Sequence, residues 1–128
     1  MESPDISFRR RLLMEALTVL AADAQLQVSW LVRHAVMTDE IALDFDHAFR
    51  MAEVLVAERQ LGRGVMADLR EIDATLSRMS GGENADRWTR DALSTDEGWA
   101  LARRLARRIL ATELGEWQQP FPEISVIR

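Results

Sequence analysis

The chain has 128 residues, a net charge of −5 and no cysteine. The missing thiols exclude disulfides, zinc–thiolate centres and cysteine nucleophiles, and they fit an expected cytoplasmic location. The length suits one domain that buries about two-thirds of its unfolded surface, and 48% hydrophobic residues argue against disorder.

No apolar run approaches the roughly 20 residues that span a bilayer. The N-terminus does not read as a signal peptide, because Glu2 and Asp5 precede the basic cluster and Glu15 interrupts the apolar stretch. All 16 basic residues are arginine, a choice ascribed to codon bias rather than energetics. The acidic balance disfavours general affinity for nucleic acid or anionic membranes and suits a basic protein partner.

In chain order, Pro4 and Asp5 lead into a helix from about Ser7 to Ala22, in which Leu12, Leu13, Ala16, Leu17, Leu20 and Ala21 form an apolar face. Arg9, Arg10 and Arg11 point in three directions around that helix and make no phosphate-binding stripe. Asp23 is a candidate cap for a second helix reaching about Ala35. There Leu26, Val28 and Trp30 alternate like a strand, but the Ala and Gln content favours helix. Thr38 is expected to cap the next segment, with Asp39 and Glu40 in its first turn. Its apolar residues are regularly spaced from Phe45 onward, which predicts a short turn followed by a longer helix ending at Gly62-Arg63-Gly64.

Val65, Met66, Leu69, Ile72, Leu76 and Met79 give the clearest helical period, closed by Ser80-Gly81-Gly82. A short helical piece from Asn84 or Ala85 to Leu93 should carry Trp88 inward. Ser94 and Glu97 have capping-box spacing, so a final helix is expected to begin there. In it Trp99, Ala102, Leu105, Ala106, Ile109 and Leu110 face the core, Arg103, Arg104, Arg107 and Arg108 face away, and Gly115 marks the end. Pro120 and Pro122 forbid helix beyond, yet Trp117, Phe121, Ile124, Val126 and Ile127 are apolar. Residues 116–128 should therefore pack back as an extended strap. The expected fold class is all-α: a single-domain bundle of five or six helices plus this strap, with no seam dividing residues 1–128.

Motifs of known chemistry are missing. The chain has no GxxxxGK[ST], no GxGxxG and no GxSxG, which argues against nucleotide binding and hydroxyl nucleophiles. Asp44 and His47 share a helix face, with Glu40 one turn earlier. They are the best metal-ligand candidates, but lack an HExxH or paired ExxH pattern, so a solvated helix face is the favoured reading and no cofactor is expected. Paired carboxylates for acid–base work would need burial that separates their pKa values.

Charge is unevenly placed. Residues 38–61 carry Asp39, Glu40, Asp44, Asp46, Glu53 and Glu58 against Arg50 and Arg59, and residues 68–97 carry eight acids against four arginines. Residues 98–128 are net positive. An acidic and a basic side are one reading; mutual neutralisation within the chain is the favoured one. Trp30, Trp88 and Trp99 fall in core patterns. Trp117 reads first as a strap anchor and second as an exposed binding residue.

The stretch LREIDATLSRMSGGENADRWTRDALSTDEGWALARRLARRIL, continuing to EWQQPFPEI, resembles small actinobacterial helical proteins of unassigned role. It is also similar to helical immunity proteins of bacterial toxin systems, in which a W-T-x-x-A-L segment leads into a final helix. The resemblance spans about the C-terminal half. It implies a non-enzymatic cytoplasmic protein that binds and blocks a basic toxin, with charge complementarity speeding encounter. The expected partner-binding residues are Asp39, Glu40, Asp44, Asp46, Glu83, Asp86, Asp91 and Trp117. A structural homodimer or adaptor, and a metal-dependent bundle enzyme using Glu40, Asp44 and His47, are the alternatives.

Overall fold

A computed structural model describes residues 4–122. The strap residues Ile124, Val126, Ile127 and Arg128, and Glu2 at the other end, lie outside them. Among the described residues the chain is all-α, with no strand. Its helices are α1 (Pro4–Ala21), α2 (Ala24–His34), α3 (Asp39–Phe49), α4 (Ala52–Ala57), α5 (Met66–Arg78), α6 (Ala92–Thr95) and α7 (Glu97–Leu114), with 3-10 segments at Arg63–Val65 and Gly82–Trp88. Five of the α-helices have eleven residues or more.

The central element is α7, which packs most extensively on α1 and α5, while α1 also holds α3. The periodic residues account for this. Trp99, Ala102, Leu105, Ala106, Ile109 and Leu110 of α7 are all buried, as are Leu69, Ile72 and Leu76 of α5. Trp99, only 1% exposed, meets Trp88 edge to face at 5.3 Å, and its indole N–H donates to the Arg87 carbonyl. Trp88 is half-buried; its N–H donates to the Met79 carbonyl. Large aromatic rings bury well when their polar edge finds such a partner. No side-chain nitrogen or oxygen buried among the described residues lacks a hydrogen bond.

Several local expectations are corrected. The cap of α7 is Asp96, whose extended backbone lets its Oδ1 accept from the Gly98 N–H at 2.7 Å. Ser94 is inside α6 and donates to the Asp91 carbonyl instead. Arg87 fixes the choice, since its guanidinium grips both Asp96 oxygens at 2.8 and 3.1 Å. Asp23 and Thr38 stand at helix starts but make no side-chain cap bond. Between Asp39 and Ala57 the order is reversed: the long helix comes first, and the break falls at Arg50 and Met51, where Met51 leaves helical geometry. The expected helix from Asn84 to Leu93 is a 3-10 segment and a separate turn of helix, parted by extended backbone at Thr89.

At the end of α7, Gly115 takes a positive φ of 89° and its N–H returns to the Ala111 carbonyl, a left-handed helix stop that glycine adopts at least cost. Trp117 and Phe121 then pack on the core. The Trp30 indole donates to the Pro122 carbonyl at 3.2 Å, which ties the described part of the strap to α2.

Candidate functional site

Of the four α7 arginines, Arg103 and Arg107 are half-buried and turn back onto the bundle, while Arg104 and Arg108 are exposed. Arg103 Nε donates to the Ala22 carbonyl at 2.9 Å, and its Nη2 to Gln27 Oε1 and the Leu93 carbonyl at 3.0 and 2.8 Å. Arg107 Nε reaches the Ala21 carbonyl at 2.7 Å, its Nη2 bonds Asp23 Oδ1, and its guanidinium lies 3.9 Å above the Trp117 ring. Buried Gln27 donates to the Val19 and Leu20 carbonyls. Two guanidinium groups thus meet the negative end of the α1 dipole and satisfy carbonyls that the helix leaves open. Burial lowers the proton affinity of Arg103, and neighbouring Arg107 adds to this, yet guanidinium stays charged at any ordinary pH. Arg108 grips Asp68 through both oxygens. Trp117 is half-buried under this clamp, so its ring is spent as a strap anchor.

The acidic side lies elsewhere. Along α3, Asp39, Leu43 and Asp46 follow at i, i+4 and i+7 and share one face. Near the C-terminal end of α5, Asp73 and Ser77 share a face at i and i+4, and Ser80 follows just beyond the helix. Between these two faces lies a cavity of about 390 Å³ walled by Asp39, Asp46 and Asp73, where half-buried Ala42 and Trp88 supply open apolar surface over the buried side chains of Phe45 and Leu76. Leu43 on its rim is 60% exposed. A second depression of about 380 Å³ adjoins it, sharing Asp46 and Asp73 and extending to Phe49, Arg50, Glu53 and Met66.

The side-chain carboxylates of Asp39 and Asp73 make no ion pair or hydrogen bond among the described residues. Asp46 pairs with Arg50 at 3.0 Å across one helical turn, on the surface. Carboxylates around an apolar floor attract a cation that also carries apolar surface.

The structure divides the sequence candidates. It brings Asp39 and Asp46 together and adds Asp73 and Trp88, which the sequence reading placed on a polar face and in the core. A pairing between residues 27 positions apart leaves no local signal. Glu83, Asp86 and Asp91 are exposed on the segments beside α6, outside the cavity walls. Glu40 is half-buried and also outside them. Asp44 is half-buried, and desolvation pushes its carboxyl above the usual range. His47 faces a different cleft, of about 330 Å³, together with Phe8, Arg9 and Arg50. Glu40, Asp44 and His47 are therefore not gathered, and no group of three or more His, Asp or Glu side chains among the described residues is placed to hold a metal ion. No helix among them is long and apolar enough to cross a membrane.

Compared with protein-family models, curated proteins and solved structures, the chain finds no match.

Proposed function

We propose that this is a non-enzymatic protein-binding module that captures a basic partner through the acidic cavity between α3 and α5. The observation that carries the reading is the contrast between the two charged sides. Three of the four α7 arginines are engaged with carbonyls at the end of α1, Asp23 and Asp68, whereas the carboxylates of Asp39 and Asp73 line a cavity with apolar walls and form no ion pair among the described residues. Such carboxylates steer association and select a partner more than they add raw affinity. Immunity to a basic toxin is the form of this function that the sequence resemblance implies.

The test begins with capture of partners from a lysate of the source organism at low and high salt. The captured protein is then purified and its affinity measured for the wild type and for Asp39→Asn/Asp46→Asn/Asp73→Asn. The expected result is a basic partner whose association with the triple variant slows by about tenfold or more at low salt, with the two proteins converging at high salt. An unchanged affinity and salt dependence would refute the assignment.

A further inference from the structure

We infer that the occupant of the α3–α5 groove is a basic amphipathic helix of the partner; this rests on the binding function proposed above. The two depressions join at Asp46 and Asp73 and together run the length of α3. At 1.5 Å rise per residue, the eleven residues from Asp39 to Phe49 give a trough about 16 Å long, the span of a three-turn helix. Both long walls are helices whose backbone groups are already bonded within them. An extended peptide would find no sheet edge here to pair with, whereas a helix brings its own backbone satisfied and asks only for side-chain contacts.

The side chains define the chemistry. Half-buried Ala42 and Trp88 receive apolar residues at one end and half-buried Phe49 at the other, over the buried side chains of Phe45, Leu76 and Met66, while exposed Leu43 gains a partner. Asp39 stands at one end, Asp46 and Asp73 at the middle and Glu53 at the far end. Arg50, which lines the second depression, and nearby Arg70 are held in surface pairs, Arg50 with Asp46 and Arg70 with Glu53 at 3.6 Å, and such pairs exchange at little cost, so a partner's cation displaces them. The complementary helix has apolar residues at i, i+3, i+4 and i+7, flanked by arginine or lysine.

The probe is a lactam-stapled peptide of about twelve residues with leucine on one face and flanking arginines. One control replaces each arginine by citrulline, which keeps the shape without the charge. A second scrambles the sequence so that no apolar face forms. Titration is followed in the nitrogen–proton spectrum of the full chain. The expected result is shifts at Leu43, Ser77, Ser80 and Gly81, affinity about tenfold weaker for each control, and weakening by Leu43→Asp, an exposed position whose change leaves the core intact. Equal binding of the scrambled peptide, shifts on another face, or no binding at millimolar peptide would overturn the helix-in-groove inference. The broader function is judged separately: it survives such a failure if the triple Asn variant still loses salt-sensitive affinity for the captured partner, and falls if that affinity is unchanged.

Discussion

Replacing Arg103 by methionine keeps the aliphatic stem and removes the fork, so it isolates the polar part of the clamp. Three acceptors lose their donor: the Ala22 and Leu93 carbonyls and Gln27 Oε1. Bonds from a charged donor contribute about 1.5–3 kcal/mol each, and a buried carbonyl left without a partner costs about 1–3 kcal/mol. Arg103 is only half-buried and water can reach part of the site, so the sum is discounted to about 2–4 kcal/mol. That is a large share of the roughly 5–15 kcal/mol that holds a domain together, and at this size it lowers Tm by about 8–15 °C. Urea unfolding followed by tryptophan fluorescence should show the midpoint falling with an unchanged slope, since the surface exposed on unfolding stays the same. Arg103→Lys should lie between the two, because one ammonium cannot point along both arms of the guanidinium fork. Gln27→Leu should couple to it non-additively through the shared bond. A methionine variant within about 0.5 kcal/mol of wild type would refute the view that α1's open carbonyls need this clamp.

The remaining predictions concern the α7 start and the groove helix. Asp96→Asn should keep the cap, which asparagine serves as well, but lose the Arg87 pair; Asp96→Ala should cost about 1 kcal/mol more. The Arg87 hydrogen bonds hold the Asp96 carboxyl below its ordinary value of 3.8. Its stabilisation is therefore present above that pH and is lost as pH falls through the depressed folded value, so the wild type and Asp96→Asn should converge in acid unfolding curves and stay apart at pH 7. Asp44 has the opposite sign: desolvation raises its folded pKa, so ionisation at neutral pH opposes folding. Asp44→Asn should raise Tm at pH 7, with a gain that disappears in acid; a lower Tm at pH 7 would contradict the desolvation. At Gly98 an added Cβ would collide with the Met79 sulfur and crowd Arg87 and Asp96. Met79 is fully buried, so Gly98→Ala should destabilise by about 1–3 kcal/mol of overpacking despite alanine's better helix propensity, and an equally stable variant would show that Met79 moves aside freely.

The helices were legible where one face repeats over several turns. The apolar residues that spacing indicated for α5 and α7 are buried, with Thr75 and Gly98 joining them unannounced, because a 3.6-residue period leaves few alternatives once one face must leave water. The choice between helix and strand for α2 turned on Gln27, whose amide replaces Leu26 at the buried position by bonding two carbonyls of α1. No period displays that exchange, since its partners lie in another helix. Cap positions were the least legible. Asp96 and Ser94 are both good cap residues by type, and Arg87, nine positions upstream, decides between them. The site was half legible for the same reason: Asp39 and Asp46 share a helix face by arithmetic, whereas their meeting with Asp73 and Trp88 depends on how α3, α5 and the 3-10 segment pack.

The arginine cluster shows why charge in a sequence does not map directly onto charge at a surface. Arg103, Arg107 and Arg108 sit on the polar side of α7, where a linear reading finds a basic face to balance the acidic segments. Folding brings the C-terminal end of α1 and the side chains of Asp23 and Asp68 against that side, so much of its positive field is spent on helix carbonyls and two carboxylates. Carbonyls carry no formal charge and do not appear in a count of acids and bases. A guanidinium satisfied by them leaves an acid elsewhere without its expected counterpart. Asp39 and Asp73 are such acids, and they face one cavity with an apolar floor. The same clamp that secures α1 to α7 thereby helps leave the α3–α5 side acidic, which links the stability of the bundle to the sign of the surface offered to a partner.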